Sequence, residues 1–387
     1  MQIEKQNVIS KCNEYLWYAI LVEFQLFGTV WAMMDVSGKP YLLLYWGFVA
    51  LALVKLCIQG NSWKEWILII AFGMIAILSF RSSQDKTPLL LMLGVCCSRE
   101  INLDKFLRID LIGRVVSAVL LIALPLANFY ENTIIFERGI YRTYFGWQAA
   151  NGMGFSFIVM ALEWMYLRHR RFQWYDYAGI LAMVLFLDRT ANSRTAELLM
   201  FGILIVELFC TWFEKKRPEK NLYKLCTFGC VGALGLDLVA FGTAMWLYFF
   251  NQPVWNSLQN TLTSRFRLPG EYFAAHGISL FGSPYNPDIY DYLDILFGYL
   301  TLHLGVVIAV IVFALFVISI IYGYRRKDEK YLILLLFVLL RSTMESEHLN
   351  LIYSWFPVLL GMAVWGIRKK TLETSYDVNF HNKVQLK

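Results

Sequence analysis

The chain has 387 residues, of which 58% are hydrophobic and 17% charged, with a formal net charge of +6. A soluble domain of that length has nowhere to hide so much apolar surface, so most of it must face lipid. The positive charge therefore has to be read by side of the membrane, and it is no nucleic-acid signal. The seven cysteines fall in or beside apolar segments or on the expected cytoplasmic side, so no disulfide is expected.

The first fourteen residues are polar, and the apolar run after them is long enough to stay as a span, so no cleavable signal peptide is visible. Apolar runs of spanning length follow at about 15–34, 41–58, 64–80, 109–129, 151–167, 175–188, 195–213, 225–250, 293–322, 330–342 and 349–367. A twelfth, at about 88–98, begins at Pro88 and is short for a full span, so a re-entrant segment is the alternative there. The expectation is an all-α polytopic membrane protein of about twelve helices. It forms a single membrane domain over 1–387, with one larger extracytoplasmic loop at 251–292.

Basic clusters orient the chain. Arg168-His169-Arg170-Arg171, Lys215-Lys216-Arg217, Arg325-Arg326-Lys327 and Arg368-Lys369-Lys370 end alternate helices. Placing them all inside is consistent with twelve spans and both termini in the cytoplasm. Ten of the 35 basic residues then lie outside, namely Lys39, Arg81, Lys86, Arg138, Arg142, Arg189, Arg194, Arg265, Arg267 and Arg341. Eight are arginine, whose planar fork pairs bidentately with phosphate, so the bias points to an anion recognised at the outer surface. The plainer alternative is pairing with loop carboxylates such as Asp85, Glu131 or Glu271.

Three outer regions concentrate polar chemistry. The loop at about 130–150 carries Arg138 and Arg142, one turn apart if the loop is helical, and leads into Asn151-Gly152-Met153-Gly154, where small residues permit a close helix contact or a ligand. The connection Leu187-Asp188-Arg189-Thr190-Ala191-Asn192-Ser193-Arg194-Thr195 holds a polar density that is costly at membrane depth unless paired or facing a wet cavity. An ion pair between Arg194 and Glu197 is its structural alternative. The long loop contains Arg265, Arg267, Glu271, His276, Leu280-Phe281-Gly282, Asp288, Asp291 and Asp294, an inventory of acids and aromatics that suits sugar. A smaller group, Arg341 to Asn350, includes Glu345, Glu347 and His348. No metal-ligand spacing or phosphate loop is present, so neither metal nor other cofactor is expected. Within the apolar runs Glu23, Lys55, Arg114, Glu163 and Asp237 read as isolated, and proton-coupled transport is not indicated. Cys226 and Cys230 share a helix face and read as packing residues.

Together these regions resemble the Wzy-type O-antigen, capsular and exopolysaccharide repeat-unit polymerases, which are related to the O-antigen ligases. Gly146-Trp147-Gln148-Ala149-Ala150-Asn151 is similar to the family's Gly-x-x-His-Pro-Asn at a helix start, without the His-Pro pair. Thr190-Ala191-Asn192-Ser193-Arg194 looks like its Thr/Ser-x-Ser-Arg connection. Ser264-Arg265 and Leu280-Phe281-Gly282 are similar to its Ser-Gly-Arg and Leu-Phe-Gly elements. Asp294, Phe297 and Gly305 match an Asp-x-x-Tyr with a later glycine, Phe replacing Tyr, and Glu345 with Asn350 is similar to a final Glu…Asn pair.

The resemblance implies a GT-C-like helical fold in the bacterial cytoplasmic membrane. It implies transfer of a growing glycan from undecaprenyl pyrophosphate onto the sugar of another lipid-linked repeat unit, without metal or nucleotide sugar. Its partners would be the lipid-linked oligosaccharide, the growing glycan and membrane lipids, with a flippase and a chain-length regulator as candidate proteins. A pyrophosphate leaving group needs fixed positive donors, and the acceptor hydroxyl needs a base. Arg138, Arg142, Asn151, Arg189, Arg194, Arg265 and Arg341 are thus the expected substrate-binding residues, with His276, Asp294 or Glu345 as the base. A ligase acting on finished polymer is hardly separable by sequence. A lipid-linked oligosaccharide flippase or transporter would be expected to show inverted halves and basic residues in a central cavity, and neither is visible.

Overall fold

The computed structural model describes residues 15–16, 39–129, 131–132, 134–137, 139–147, 149–216, 222–254, 257, 265–284, 293–346, 349 and 354–366. The expected first span therefore lies outside the described residues except for Tyr15 and Leu16, as do Glu23, Arg138, Asp288, Asp291, Asn350 and the basic cluster at 368–370. The fold is helical. Among the described residues, five helices are long and apolar enough to cross a membrane, and three shorter ones are apolar.

The chain divides into two compact units, each assembled from separate stretches of sequence. The first holds α1 (Lys39–Ile58), α4 (Leu103–Leu126), the hairpin of β1 (Ile134–Glu137) and β2 (Ile140–Thr143), α5 (Ala150–Arg168), α6 (Trp174–Arg189) and α7 (Arg194–Lys216). Its core forms where α5 packs against α4 and α7, and α6 against α7. Gly154 is what lets α5 approach the start of α7, because a Cβ there would meet Ser193 Oγ at 2.6 Å and Ala196 Cβ at 2.8 Å. The small residues at this helix start thus serve a helix contact. Asn102 caps α4 by accepting from Lys105 N at 3.1 Å.

The second unit holds α2 (Trp63–Ser83), α3 (Thr87–Cys97), α8 (Leu222–Phe250), α9 (Leu268–His276), α10 (Val306–Arg326), α11 (Glu329–Ser342) and α12 (Phe356–Gly366). α2 starts with a capping box between Ser62 and Glu65. It leaves Ile67, Leu68, Ile70, Met74, Ile77 and Leu78 exposed, a lipid-facing stripe. α3 spans 11 residues, short for a crossing as its sequence suggests. α8 has 29 residues and rises roughly 43 Å, more than a hydrocarbon core of about 30 Å requires. Cys226 and Cys230 are buried on it, and Cys230 Sγ lies 3.2 Å from Leu332 O on α11.

Two expectations are corrected. The run at 293–322 is not one helix: a turn at Leu296–Gly298 passes into a π-helical turn at Tyr299–Leu304 and breaks at Gly305, where α10 begins. An apolar run without proline carries no periodic signature of such a break. The segment carrying Arg142 is not helical either. It is an antiparallel hairpin in which Ile135 pairs with Arg142 and Phe136 with Tyr141, turning through Gly139.

Candidate functional site

In the first unit the hairpin and the connection between α6 and α7 form one structure. Arg142 is buried, and its guanidinium donates from Nε to Ala191 O at 2.7 Å and from Nη2 to Asn192 O at 3.1 Å. Thr143 N adds a bond to Thr190 O at 3.1 Å. The short connection turns through Asn192 at φ +47°, and Arg142 binds the two successive carbonyls of Ala191 and Asn192 there. Two of the regions singled out by sequence therefore meet, with Arg142 as the clamp. Arg189 is 86% exposed beside Asp188, at 3.9 Å, while Arg194 and Asn151 are exposed at the first turns of α7 and α5. No ion pair joins Arg194 to Glu197 at bonding distance; Glu197 instead sits in the combined field of Asp188, Arg194 and Arg142.

Arg114 and Glu163, which read as isolated, are partners. Arg114 Nε lies 2.7 Å from Asp110 Oδ2 and 3.4 Å from Glu163 Oε1, and all three residues are buried. The pairing joins α4 to α5, so one helix alone could not reveal it.

In the second unit the polar residues converge on the break before α10. Asp85, in the turn between α2 and α3, accepts from Thr87 N at 2.8 Å, from the Tyr299 hydroxyl at 2.5 Å and from His303 Nε2 at 3.3 Å. His303 Nδ1 lies 3.0 Å from the Tyr272 hydroxyl, which donates to Ser283 O at 2.9 Å. The His303 ring thus bridges the Asp85 carboxylate and the Tyr272 hydroxyl, linking the turn after α2 to α9. Partial burial opposes the Asp85 charge, but the hydrogen bonds from His303, Tyr299 and Thr87 outweigh it and hold the carboxyl at about 2 instead of the usual 3.8.

The break is sealed by the segment after α9. Val306 N and Val307 N, open groups at the start of α10, donate to Ser279 O at 3.1 Å and Leu280 O at 3.2 Å. Ser283 N donates to His303 O at 3.0 Å, Ser79 Oγ to Leu304 O at 2.7 Å and Ser82 Oγ to Gly282 O at 2.5 Å. Gly305 at φ +100° and Gly282 at φ +96° lie backbone to backbone, so neither tolerates a Cβ. The Leu-Phe-Gly element and the late glycine, distant in sequence, are thus one contact. Leu268, Tyr272, Leu293 and Leu302, with Phe241 and Met245, pack α9 against this region.

The expected site residues of this unit pair arginine with acid. Arg265 Nε lies 3.0 Å from Asp294 Oδ2, with the side chains 26% and 29% exposed. Arg341 Nη2 pairs with Glu345 Oε2 one turn on, and both are buried. Arg267 pairs with Glu271 at 3.3 Å. His276 ends α9 with its ring 4.8 Å from that of Tyr272. The buried carboxylate of Asp237 on α8 lies beside the Phe297 backbone and the Ser342 side chain, which brings α11 close to the turn following Asp294.

Sequence reading missed Asp85, Tyr299, His303 and Tyr272. By sequence Asp85 reads only as a loop counter-charge, and the partners of His303 come from the turn after α2 and from α9. Among the described residues no group of His, Cys, Asp and Glu is arranged to hold a metal ion. No family model, curated protein or solved structure matches the chain.

Proposed function

We propose that the chain is a polysaccharide repeat-unit polymerase, a membrane glycosyltransferase that uses undecaprenyl-pyrophosphate-linked oligosaccharides at the outer face of the bacterial cytoplasmic membrane. In this reading it has about twelve spans in a GT-C-like arrangement, with both termini cytoplasmic. The observation that carries it is the Arg265–Asp294 pair, about a quarter exposed to solvent beside the helix break.

A part-exposed guanidinium held by a carboxylate at 3.0 Å is a resting state that a pyrophosphate can take over. Arg265 then neutralises charge on the leaving pyrophosphate, and the released Asp294 carboxylate becomes the base for the acceptor hydroxyl. The acceptor oxygen bonds to the anomeric carbon, its proton passes to Asp294, and the bond from that carbon to the pyrophosphate oxygen breaks. The buried Arg341–Glu345 pair is a second anchor, and Glu345 and His276 are alternative bases. Arg189, Arg194 and Asn151, exposed in the first unit, are candidates for the lipid phosphates or the glycan. Arg138 belongs to the same candidate set but lies outside the described residues.

The test is lipid and polymer analysis of a deletion strain complemented with Arg265→Lys or Asp294→Asn. Single lipid-linked repeats accumulating on the outer leaflet, with protein still inserted, are expected. Accumulation on the inner leaflet would make it a flippase, and unchanged polymer in both variants would overturn the assignment.

A further inference from the structure

A cavity of about 270 Å³ opens in the second unit at the opposite end of α2 from Asp85. Glu65 near the start of α2, the segment Ser98–Ile101 after α3, Tyr322 and Arg326 near the end of α10, and Trp365 near the end of α12 line it. Its two arginines are held by aromatic rings. Arg99 lies 5.5 Å from the Trp365 ring centre and donates to Glu65 Oε2 at 3.2 Å. Trp365 is itself fixed by a bond from Nε1 to Val95 O at 3.1 Å. Arg326 lies 5.3 Å from the Tyr322 ring centre and donates from Nη1 to its hydroxyl at 2.9 Å. Tyr322 fits closely against Gly366 of α12, where a Cβ would collide with its ring.

The local acids are largely committed elsewhere. Glu65 accepts from Ser62 N at 2.7 Å as well as from Arg99, and Asp328 caps α11 by accepting from Tyr331 N at 3.1 Å. Glu100 stands exposed on the rim. Arg326 has no carboxylate partner among the described residues, and Lys64, Arg325 and Lys327 are exposed at the same end. That basic excess marks the end which the positive-inside trend assigns to the cytoplasm. Exposed Trp63, Ile67 and Ile70 on the first turns of α2 continue as an apolar flank.

We propose that this cavity binds the phosphoryl headgroup of an anionic membrane lipid, with Arg326 and Arg99 as its ligands and the acyl chains lying along α2. A guanidinium whose plane is fixed by an aromatic ring presents its donors to a phosphodiester with little further ordering. Basic cavities between helix ends at the cytoplasmic face are where such headgroups lodge. The site does not depend on the proposed activity.

The experiment uses the full chain in a neutral detergent, with binding followed by native mass spectrometry and by thermal shift. The probes are phosphatidylglycerol, phosphatidylcholine and inorganic phosphate. Phosphatidylglycerol is expected to bind and raise the melting temperature, and Arg326→Gln to weaken it about tenfold. Arg325→Gln, one residue away, should leave affinity within about twofold, the size of a surface-charge effect. Equal binding by wild type and Arg326→Gln, or equal loss in both variants, would overturn the site. Inorganic phosphate binding as tightly as the lipid, with the same Arg326 dependence, would overturn the lipid as its source.

Discussion

Tyr299 and Asp85 are 214 residues apart in the chain, and the tyrosine hydroxyl donates to Asp85 Oδ2 at 2.5 Å. That bond, with His303 on the same oxygen, ties the turn after α2 to the π-helical turn before α10. It makes the integrity of the break depend on a charged carboxylate far away in sequence.

Asp85→Asn should therefore destabilise the protein by about 2 kcal/mol at neutral pH, the worth of lowering a carboxyl from 3.8 to about 2. The folded-state value is depressed, so the stabilisation is complete above the unfolded value near 4 and disappears as pH falls through about 2. Thermal melts in detergent should show a gap between wild type and variant at pH 7 that closes toward pH 2. A gap that is constant with pH would mean the aspartate acts by shape alone.

Gly305→Ala should be severe. Its φ of +100° strains any side chain, and the new Cβ would strike the backbone of Gly282. A loss of about 3 kcal/mol or more is expected. Gly298→Ala, whose Cβ would meet Phe241 at an ordinary 3.4 Å, should cost less than about 1 kcal/mol. Melting temperatures of the two proteins in the same detergent make the comparison.

Arg142→Ala should loosen the hairpin against the α6–α7 connection, removing two charge-assisted bonds worth about 2–3 kcal/mol locally. Hydrogen exchange at Thr143 and over residues 190–193 should rise. Arg194→Ala, from an exposed position, should leave that exchange unchanged.

The Arg341–Glu345 pair separates stability from function. Glu345→Gln alone leaves a buried guanidinium without its carboxylate, at a cost of about 3–5 kcal/mol. Replacing both by Met and Leu should recover most of the stability, and on the polymerase reading proposed above it should abolish polymer. Polymer at wild-type level in the double variant would remove the pair from the site.

Membrane character, the position of most helices and the concentration of polar residues in a few connections were legible because they rest on local composition and periodicity. The expected runs at 41–58, 64–80 and 225–250 correspond to Lys39–Ile58, Trp63–Ser83 and Leu222–Phe250 within a few residues. Gly305 and Leu280-Phe281-Gly282 stood out as elements, and so did Arg265 with Asp294, each without its partner.

What only the tertiary structure decided is which of these polar groups is already engaged. Arg142 is a clamp on carbonyls of a distant turn, Arg114 bonds to Asp110 and lies 3.4 Å from Glu163 on the next helix, and Asp85 is held more firmly in its charged form by His303 and Tyr299. A side chain's hydrogen bonds depend on elements brought together by the packing of apolar faces, and helical periodicity holds no record of them. For the same reason a run of apolar residues cannot announce the break at Gly305, whose open N–H groups are satisfied by Ser279 and Leu280.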